Sequence, residues 1–297
     1  MPKISEILSF LTAESIPFTF SGNEKEIVEG FSSLTQYKLR TFTWVKKQEN
    51  IPEGFDLSQV ALAFASEEVV GTFRNVIRTA QSKRAFFSAI EHFYGENDDR
   101  PAIGQFTYIS PRVKLGKNVR IGHNCTLDGD ITIGDNTAIW NNVVIMNRVK
   151  IGVNCEIQSG AVIGQDGFAY TENDNHEKTM VKHYGGVEIG NNVHIGSNIV
   201  IDRSQIDDTV VGDGCKLDPL SHIAHNVCLE ENCTVISCTN LMGSVHVKKN
   251  AYISSSIIRN QATIGENATV GMGAVVTKDV ADGAVVVGNP GKPFEKR

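Results

Sequence analysis

Aliphatic residues recur at every sixth position through most of this chain, and this period constrains the fold more than any other feature. The first run extends without a miss from Ile109 to Ile163, and the spacing returns over 189–201 and 211–253. After a shift of one residue it continues over 258–276. A period of six is neither helical nor a simple strand alternation, and it is typical of hexapeptide β-solenoids. The sequence therefore predicts a β-helix whose core is a stack of Ile, Leu and Val ladders.

Glycine and asparagine follow the ladder residues at the positions where a coil must turn. Two examples are Gly134-Asp-Asn136 and Gly190-Asn-Asn192. Tight corners require residues that tolerate left-handed dihedral angles, and glycine and asparagine adopt these most readily. A single coil cannot bury its own apolar face, so we expect the stability of this region to come from stacking of neighbouring coils.

Residues 1–100 lack the six-residue period and are predicted to form a small α/β domain that binds nucleotide or substrate. Helical spacing over 4–11 and 73–94 predicts two helices, and 18–20, 41–45 and 60–64 read as short strands. The predicted solenoid covers 101–280, with an inserted loop at 164–186 and a C-terminal tail at 281–297. A loop that leaves a rigid scaffold is a usual place for binding residues, although a plain surface excursion would give the same pattern.

Composition excludes several classes of function. The net charge is −6 and no run of basic residues occurs, which disfavours nucleic acid as a partner. No apolar stretch approaches membrane-spanning length and the N-terminus has no signal-peptide pattern, so a cytoplasmic protein without a membrane span is expected. None of the six cysteines forms a CxxC pair, which favours reduced, buried thiols.

Two histidines are the best candidates for chemistry, because they flank the ladder residue Ile223. His225 lies two residues later, at a corner where its imidazole can face a groove and accept a proton near neutral pH. From the pattern alone, a surface histidine without a role is an equally good interpretation. His222 is expected to point away from the groove. The spacing of this pair, without any His-x4-His pair elsewhere, predicts no metal site.

Three segments, 163–170, 201–210 and 223–227, resemble the UDP-3-O-acylglucosamine N-acyltransferase family of lipid A biosynthesis. The resemblance covers most of the chain. It implies a left-handed parallel β-helix, a homotrimer with active sites between subunits, and a general base at His225. It also implies that a nucleotide base stacks on Phe42. The other substrate contacts that it implies are Lys47, Asp166, Phe168, Tyr170 and Asp218.

The sequence departs from that family in several places. Gln48 stands where a second stacking aromatic is expected, Pro219 replaces an asparagine, and Gln261 lies near the position of a second histidine. The segment 271–293 is instead similar to the end of coenzyme A-dependent sugar N-acetyltransferases. This similarity implies that the acyl donor is bound by Gly271, Gly273 and Asn289.

The leading hypothesis is an N-acyltransferase that moves an acyl group from a thioester to the amine of a nucleotide-linked amino sugar. Acyl-coenzyme A, with acetyl-coenzyme A as a candidate, is favoured as the cosubstrate, and no permanently bound cofactor is expected. One alternative is the lipid A enzyme that acylates UDP-3-O-(3-hydroxyacyl)glucosamine from acyl carrier protein. An alternative of another class is a non-catalytic solenoid that serves as a scaffold.

Overall fold

The structure is a computed structural model that describes residues 1–96 and 100–288. Backbone contacts divide the chain into two compact units, 1–99 and 100–297. Each unit has a hydrophobic core of its own.

The N-terminal unit is a five-stranded sheet with two α-helices. The helices are α1 (Ile4–Ala13) and α2 (Ser82–Tyr94). The strands are β1 (Thr19–Ser21), β2 (Gly30–Phe31), β3 (Thr41–Val45), β4 (Leu62–Ala65) and β5 (Val76–Arg78). They lie in the order β1-β5-β4-β3-β2, and β1 is antiparallel to β5 while the other neighbours are parallel. Short 3-10 turns occur at Leu34–Gln36, Gln48–Asn50 and Leu57–Gln59.

The predicted helix over 73–94 is wrong in its first part. Residues Val76–Arg78 form β5, which lies between β1 and β4 in the sheet, and the helix begins only at Ser82. Val76 and Ile77 are β-branched, and such side chains favour strands when a pleated surface is available on both sides. Sheet pairing therefore overrides the helical spacing of the apolar residues.

The C-terminal unit is a parallel β-helix built from very short strands. The strands are β6 (Tyr108–Ile109), β7 (Lys114–Leu115), β8 (Arg120–Ile121), β9 (Thr126–Ile133), β10 (Ala138–Ile139), β11 (Val144–Ile151), β12 (Glu156–Ile157), β13 (Val162–Asp166), β14 (Tyr170–Glu172), β15 (Lys178–Met180), β16 (Gly186–Ile189), β17 (His194–Ile195), β18 (Val200–Arg203), β19 (Asp208–Val211), β20 (Lys216–Leu217), β21 (His222–Ile223), β22 (Cys228–Leu229), β23 (Thr234–Val235), β24 (Asn240–Leu241), β25 (His246–Val247), β26 (Tyr252–Ile253), β27 (Ile257–Ile258), β28 (Thr263–Ile264), β29 (Thr269–Val270), β30 (Val275–Val276) and β31 (Val285–Val286). β9 and β11 are eight residues long and join two faces of the coil into one sheet.

Strand register follows the sequence period. Ile121 pairs with Ile139 and Ile139 with Ile157, so that equivalent residues of neighbouring coils are 18 positions apart. These ladder residues are buried, as are Ile195 and Leu217 further along the same sheet. The predicted β-helix with an aliphatic core is confirmed. Leu115 is an exception at 38% exposure, because it lies at the end of the stack and has a neighbouring coil on one side only.

Two departures from the 18-residue spacing shape one side of the solenoid. The insert between β13 and β16 leaves the coil as an antiparallel hairpin formed by β14 and β15. The next coil is also longer, because Ile195 pairs with Leu217, 22 positions later. The additional residues follow β18, so both departures occur on neighbouring turns of the same face.

The cysteines of the solenoid are all free thiols, and most of them are buried at ladder-flanking positions. Cys238 is exposed, so the expectation of buried thiols is wrong for this residue. Burial raises the pKa of the thiols of Cys125 and Cys155, which keeps both in the neutral form. No helix among residues 1–96 and 100–288 is long and apolar enough to cross a membrane.

Asparagine side chains form a ladder along one corner of the coils. Asn118, Asn136, Asn154 and Asn192 all have left-handed backbone, with φ between +55° and +58°. Each amide donates to the side-chain oxygen of the next, over N···O distances of 3.0, 3.2 and 3.4 Å. Asparagine therefore satisfies two demands at these corners, the backbone conformation and a polar contact between coils.

We expect replacements of Asn154 to separate these two contributions. Asn154→Ala removes the amide contacts but keeps a Cβ in the left-handed region, which alanine tolerates less well than asparagine, whereas Asn154→Gly removes both the contacts and the Cβ. The alanine variant should be less stable than the glycine variant by about 1 kcal/mol in free energy of unfolding. Denaturant titrations of both variants and of the wild type measure this difference. Equal stability of the two variants would show that the corner conformation is not the limiting factor.

Candidate active site

His225 lies at the junction of two cavities on the face where the coil spacing changes. The coil groove, of about 390 Å³, is lined by residues that include Asp202, His222, Met242 and Gly243. The loop cavity, of about 520 Å³, is formed mainly by the insert, including Tyr170, Glu172 and Lys178. His225 and Phe168 line both. One imidazole is therefore accessible from two separate compartments.

Hydrogen bonds fix the tautomer of His225. Its Nδ1 lies 2.9 Å from the side-chain oxygen of Asn226, and the amide nitrogen of Asn226 donates to the hydroxyl of Ser204. An amide oxygen only accepts, so Nδ1 carries the proton and Nε2 of the neutral ring has a free lone pair. The backbone N–H of Asn226 donates to Thr209 Oγ1 at 3.0 Å, which anchors the whole arrangement. His225 is thus prepared to accept a proton at Nε2.

Two glycines enclose the imidazole of His225. A Cβ on Gly243 would lie 2.7 Å from Cε1 of the ring, and a Cβ on Gly167 would lie 2.9 Å from Cδ2. Both distances are shorter than van der Waals contact, so any other residue at either position would displace the ring. Gly167 belongs to the insert and Gly243 to the next coil, and together they hold the ring in one orientation.

His222 lines the coil groove together with His225, so the expectation that it points away is wrong. Its Nε2 lies 3.0 Å from Oδ2 of Asp202, and the other oxygen of Asp202 accepts from Gln165 Nε2 at 3.1 Å. His222 occupies the outward position on β21, next to Val200 in the neighbouring coil. The outward face of this coil is itself the wall of the groove, which the sequence period alone does not reveal.

His183 is a buried histidine that sequence analysis did not single out. Its ring centroid lies 5.7 Å from that of His225 with the planes at 75°. Its Nδ1 lies 2.9 Å from the carbonyl oxygen of Val181 and therefore carries a proton, and its buried Nε2 has no partner within the described part of the chain. The insert has no periodicity, so only its return to the solenoid shows which of its residues are buried.

The predicted substrate residues of the solenoid are only partly brought together. Phe168 and Tyr170 lie next to His225 with their ring centroids 4.9 Å apart, and Phe168 is 81% exposed. Asp166 forms an ion pair with Arg203 over 2.6 Å and lines neither cavity. Asp218 lies at another corner, where it accepts from the backbone N–H of Ser237.

The loop cavity carries an ion pair of its own. The Lys178 ammonium, followed by His176, lowers the pKa of the Glu172 carboxyl by hydrogen bonding to it. These groups are exposed, so the pair orders the hairpin rather than adding much to stability.

The predicted donor residues lie away from both cavities. Gly271 and Gly273 follow β29 near the end of the solenoid, and Gly273 has a φ of +76°. Met272 and Val275, close to them, are largely exposed. Asn289 lies outside the described residues.

The prediction that Phe42 stacks on a nucleotide base is wrong. Phe42 has no exposed surface, and its ring contacts those of Phe64 and Phe86 at centroid distances of 5.5 Å each. It lies on β3 in the interior of the sheet, and its side chain points towards α2. Removing this ring would open the core of the domain instead of a binding site.

A cavity of about 980 Å³ nevertheless lies on the same domain, at the start of α2. Trp44 is two residues beyond Phe42 on the same face of β3, and it forms one wall together with Phe87, their rings 6.0 Å apart. Cationic side chains surround this aromatic pair. They are Lys46, Lys47, Lys83 and Arg84. Lys47, a predicted substrate residue, is among them and contacts Glu49 over 3.2 Å.

Histidine, cysteine and carboxylate residues of the described ranges do not form a group of three or more that could hold a metal ion. The polar side chains that line the coil groove are two imidazoles, one carboxylate, the hydroxyl of Ser244 and the amides of Asn260 and Gln261.

Family models match the solenoid. A model described as bacterial transferase hexapeptide matches residues 130–165, and one described as the hexapeptide repeat of succinyl-transferase matches 112–147 and 180–203. A third, described as the GMPPB C-terminal domain, matches 202–289.

Several relatives carry the same name, and each of them matches only part of this chain. A UDP-3-O-acylglucosamine N-acyltransferase of Dechloromonas aromatica is 48% identical over 88 residues, which is 30% of this chain and 25% of that protein. Proteins of the same name from Bordetella parapertussis and Coxiella burnetii are 35% identical over 127 residues and 43% over 95, covering 41% and 32% of this chain. These matches span about a quarter to a third of the relatives' own length.

Solved structures share the fold. A UDP-N-acetylglucosamine acyltransferase from Bacteroides fragilis superposes with a TM-score of 0.54 and 28% identity, over 59% of this chain and 67% of that one. LpxA from Acinetobacter baumannii gives a TM-score of 0.59 at 24% identity, over 64% and 72% of the two chains, and supports the fold alone.

Proposed function

We propose that this chain, whose solenoid matches models of hexapeptide-repeat transferases and is similar over part of its length to UDP-3-O-acylglucosamine N-acyltransferases, transfers an acyl group from a thioester to the amine of a nucleotide-linked amino sugar. The observation that carries this proposal is the position of His225. His225 lines both cavities, so an amine and a thioester can approach its ring from different sides, and Nδ1 is the nitrogen that is bound to Asn226.

The reaction follows from this geometry. Nε2 of His225 takes a proton from the attacking amine, and the nitrogen forms a bond to the thioester carbon. The carbonyl oxygen becomes an oxyanion and needs a hydrogen-bond donor. Gly243 lines the groove beside the ring, and its backbone N–H has no acceptor among the described residues, so it is the candidate donor. Collapse of the intermediate breaks the carbon–sulfur bond and returns the proton to the thiolate.

Two donors are compatible with this site. An acyl-coenzyme A, such as acetyl-coenzyme A, would follow the last coils past Gly271 and Gly273. The second candidate is the lipid A reaction, in which a hydroxyacyl chain passes from acyl carrier protein to UDP-3-O-acylglucosamine. The names of the relatives favour this second candidate. Either donor implies a cytoplasmic enzyme that needs no permanently bound cofactor.

Product analysis tests the function directly. The protein is offered UDP- and dTDP-amino sugars together with acetyl-coenzyme A or a hydroxyacyl-carrier protein, and the products are identified by mass spectrometry. An N-acylated nucleotide sugar supports the proposal and identifies the donor. Absence of acylation with every combination would favour the scaffold alternative.

The nucleotide is assigned to the cavity at the start of α2. Trp44 and Phe87 offer aromatic surface to a base. Four cationic side chains and two carboxylates, Glu67 and Glu68, line the same cavity, so the excess of positive charge complements a diphosphate. Within the solenoid, Phe168 and Tyr170 are proposed substrate contacts, because both line the loop cavity together with His225. Phe42 has only a structural role in this assignment.

We also propose a homotrimer, as the family resemblance implies, and the exposed apolar side chains near the site are compatible with it. Phe168 lies at the mouth of both cavities and is 81% exposed, and Ile206 on the same side is 80% exposed. Apolar side chains of this size at the rim of an active site are expected to be covered by a neighbouring subunit, which would also deepen the open groove.

Replacement of His225 tests the general base. His225→Ala should reduce kcat by about 10²–10⁴-fold, the usual effect of losing a positioned proton acceptor. The fold should persist, because the imidazole lies outside the aliphatic core. Steady-state kinetics and thermal melting of the purified variant measure both quantities. A folded variant with nearly normal turnover would contradict the assignment.

Replacement of Phe87 tests the nucleotide site. Phe87→Ala should raise KM for the nucleotide sugar about twofold to tenfold, since an aromatic contact contributes roughly 0.5–1.5 kcal/mol, and leave KM for the donor unchanged. Phe31→Ala is a matched control, because Phe31 is exposed to a similar extent, 45% against 50%, and does not line the cavity. An equal effect of both substitutions would argue against the site.

Sedimentation equilibrium tests the assembly. We expect a single species with three times the mass of the chain and full activity at that size. Phe168→Ser should weaken this association, because it removes the largest apolar contact at the expected interface. A stable and fully active monomer would rule out a shared active site.

A further inference from the structure

Besides the exposed His176–Glu172 pair of the hairpin, three imidazole–carboxylate pairs occur on the described coils of the solenoid, and one of these three differs from the others. His194–Glu156 and His246–Glu230, with N···O distances of 3.5 and 2.8 Å, use carboxylates that are 43% and 40% exposed. In the third pair Asp202 is only 5% exposed, and its partner His222 lines the coil groove. A buried carboxylate is costly unless a cation or strong donors compensate it, which sets this pair apart from an ordinary surface contact.

Hydrogen bonding to Asp202 sets the state of His222. The carboxylate only accepts, so Nε2 of His222 carries a proton and Nδ1 is the nitrogen that can change its protonation. Gln165 donates to the second oxygen of Asp202 and fixes the carboxylate in place. When Nδ1 takes a proton, the positive ring lies against a buried negative charge. The pair is therefore arranged to hold a proton temporarily.

The surroundings of the two groove histidines are different. His225 contacts a neutral amide and is enclosed between Gly167 and Gly243. His222 contacts a carboxylate, and its side chain is 39% exposed, so it can exchange protons with solvent. Asp202, His222 and His225 are the titratable residues that line the coil groove, and the nearby Asp166 carboxylate is paired with Arg203.

N-acylation of an amino sugar requires that nitrogen lose two protons. The amine is an ammonium ion near neutral pH, and the product amide retains a single N–H. One proton must leave before attack, because an ammonium nitrogen has no lone pair. The second leaves as the bond to the acyl carbon forms. A single imidazole that passes its proton to the thiolate accounts for only one of them.

We propose, on the basis of the proposed function, that His222 is a second catalytic residue and Asp202 its positioning residue. Nδ1 of His222 takes the first proton from the ammonium ion and releases it to solvent. The freed amine then attacks the thioester, His225 Nε2 takes the second proton, and this proton protonates the departing thiolate. An ammonium ion and a thioester thus give an amide, a thiol and one proton in solution.

The dependence of rate on pH distinguishes this role from a structural one. His222→Gln should lower kcat/KM for the amino sugar at least about tenfold near pH 6.5, and the deficit should shrink to about twofold near pH 9.5, where the amine is already neutral. Asp202→Asn should give the same profile, because an amide cannot stabilise the charged ring. His225→Ala should remain impaired at high pH, since the second proton transfer is still missing.

His246→Gln is the matched control. This substitution removes the imidazole of another histidine–carboxylate pair of the solenoid, and that pair lies outside both cavities. The kcat/KM of this variant for the amino sugar should equal that of the wild type at every pH. A loss in His222→Gln that is the same at all pH values would overturn the proposal, because it would indicate a binding or structural contact. Normal activity of His222→Gln would overturn it as well.

A measurement without turnover separates this inference from the proposed function. In ¹⁵N-histidine NMR spectra, His222 should keep its Nε2 proton while the occupancy of Nδ1 changes with pH, and Asp202→Asn should remove this preference for the Nε2–H tautomer. Failure of the wild type to acylate any amino sugar would refute the proposed function. Absence of a pH-dependent Nδ1 in His222 would refute this inference whatever the activity of the chain.

Discussion

Parallel pairing between stacked coils is the constraint on which the C-terminal unit depends. Neighbouring strands lie about 4.8 Å apart, so residues 18 positions apart in sequence, such as Ile121 and Ile139, become direct neighbours. The inward aliphatic side chains maintain this register because a slip would expose them. The coil therefore returns to register after each irregularity: Ile163 still pairs with Ile201 on the far side of the insert. Irregular segments can then vary without disturbing the core.

The active site is proposed where two such irregularities adjoin. The insert contributes Gly167, Phe168 and the buried His183, and the longer coil that follows contributes Asp202. Regular coils alone present a flat face, on which a corner histidine would be open to solvent. Here His225 is enclosed on both sides of its ring. The repeat supplies rigidity, and the departures from the repeat supply shape.

The imidazoles of His225, His222 and His183 have different hydrogen-bond partners, and these partners suit them to different roles in proton transfer. An amide next to His225 fixes a tautomer without adding charge, whereas the carboxylate next to His222 places a buried negative charge beside the ring. His183 donates from Nδ1 to a carbonyl oxygen and packs against His225. In the proposed reaction these differences match the order in which protons leave the amine. The cavity at the start of α2 shows the same effect of position, since Trp44 near the end of β3 lines it while Phe42 inside the sheet is buried.

The sequence by itself determined the β-helix, the positions of its corners and the candidacy of His225, because a six-residue period encodes strand, turn and burial locally in every repeat. It also indicated Phe168 and Tyr170 through the segments that carry the family resemblance. Only the tertiary structure decided that Phe42 is buried and Phe87 is open, that Val76–Arg78 is a strand, and that His222 meets Asp202. These outcomes depend on which distant segments pack together, and contacts between segments that the repeat does not relate leave no periodic signal in the chain.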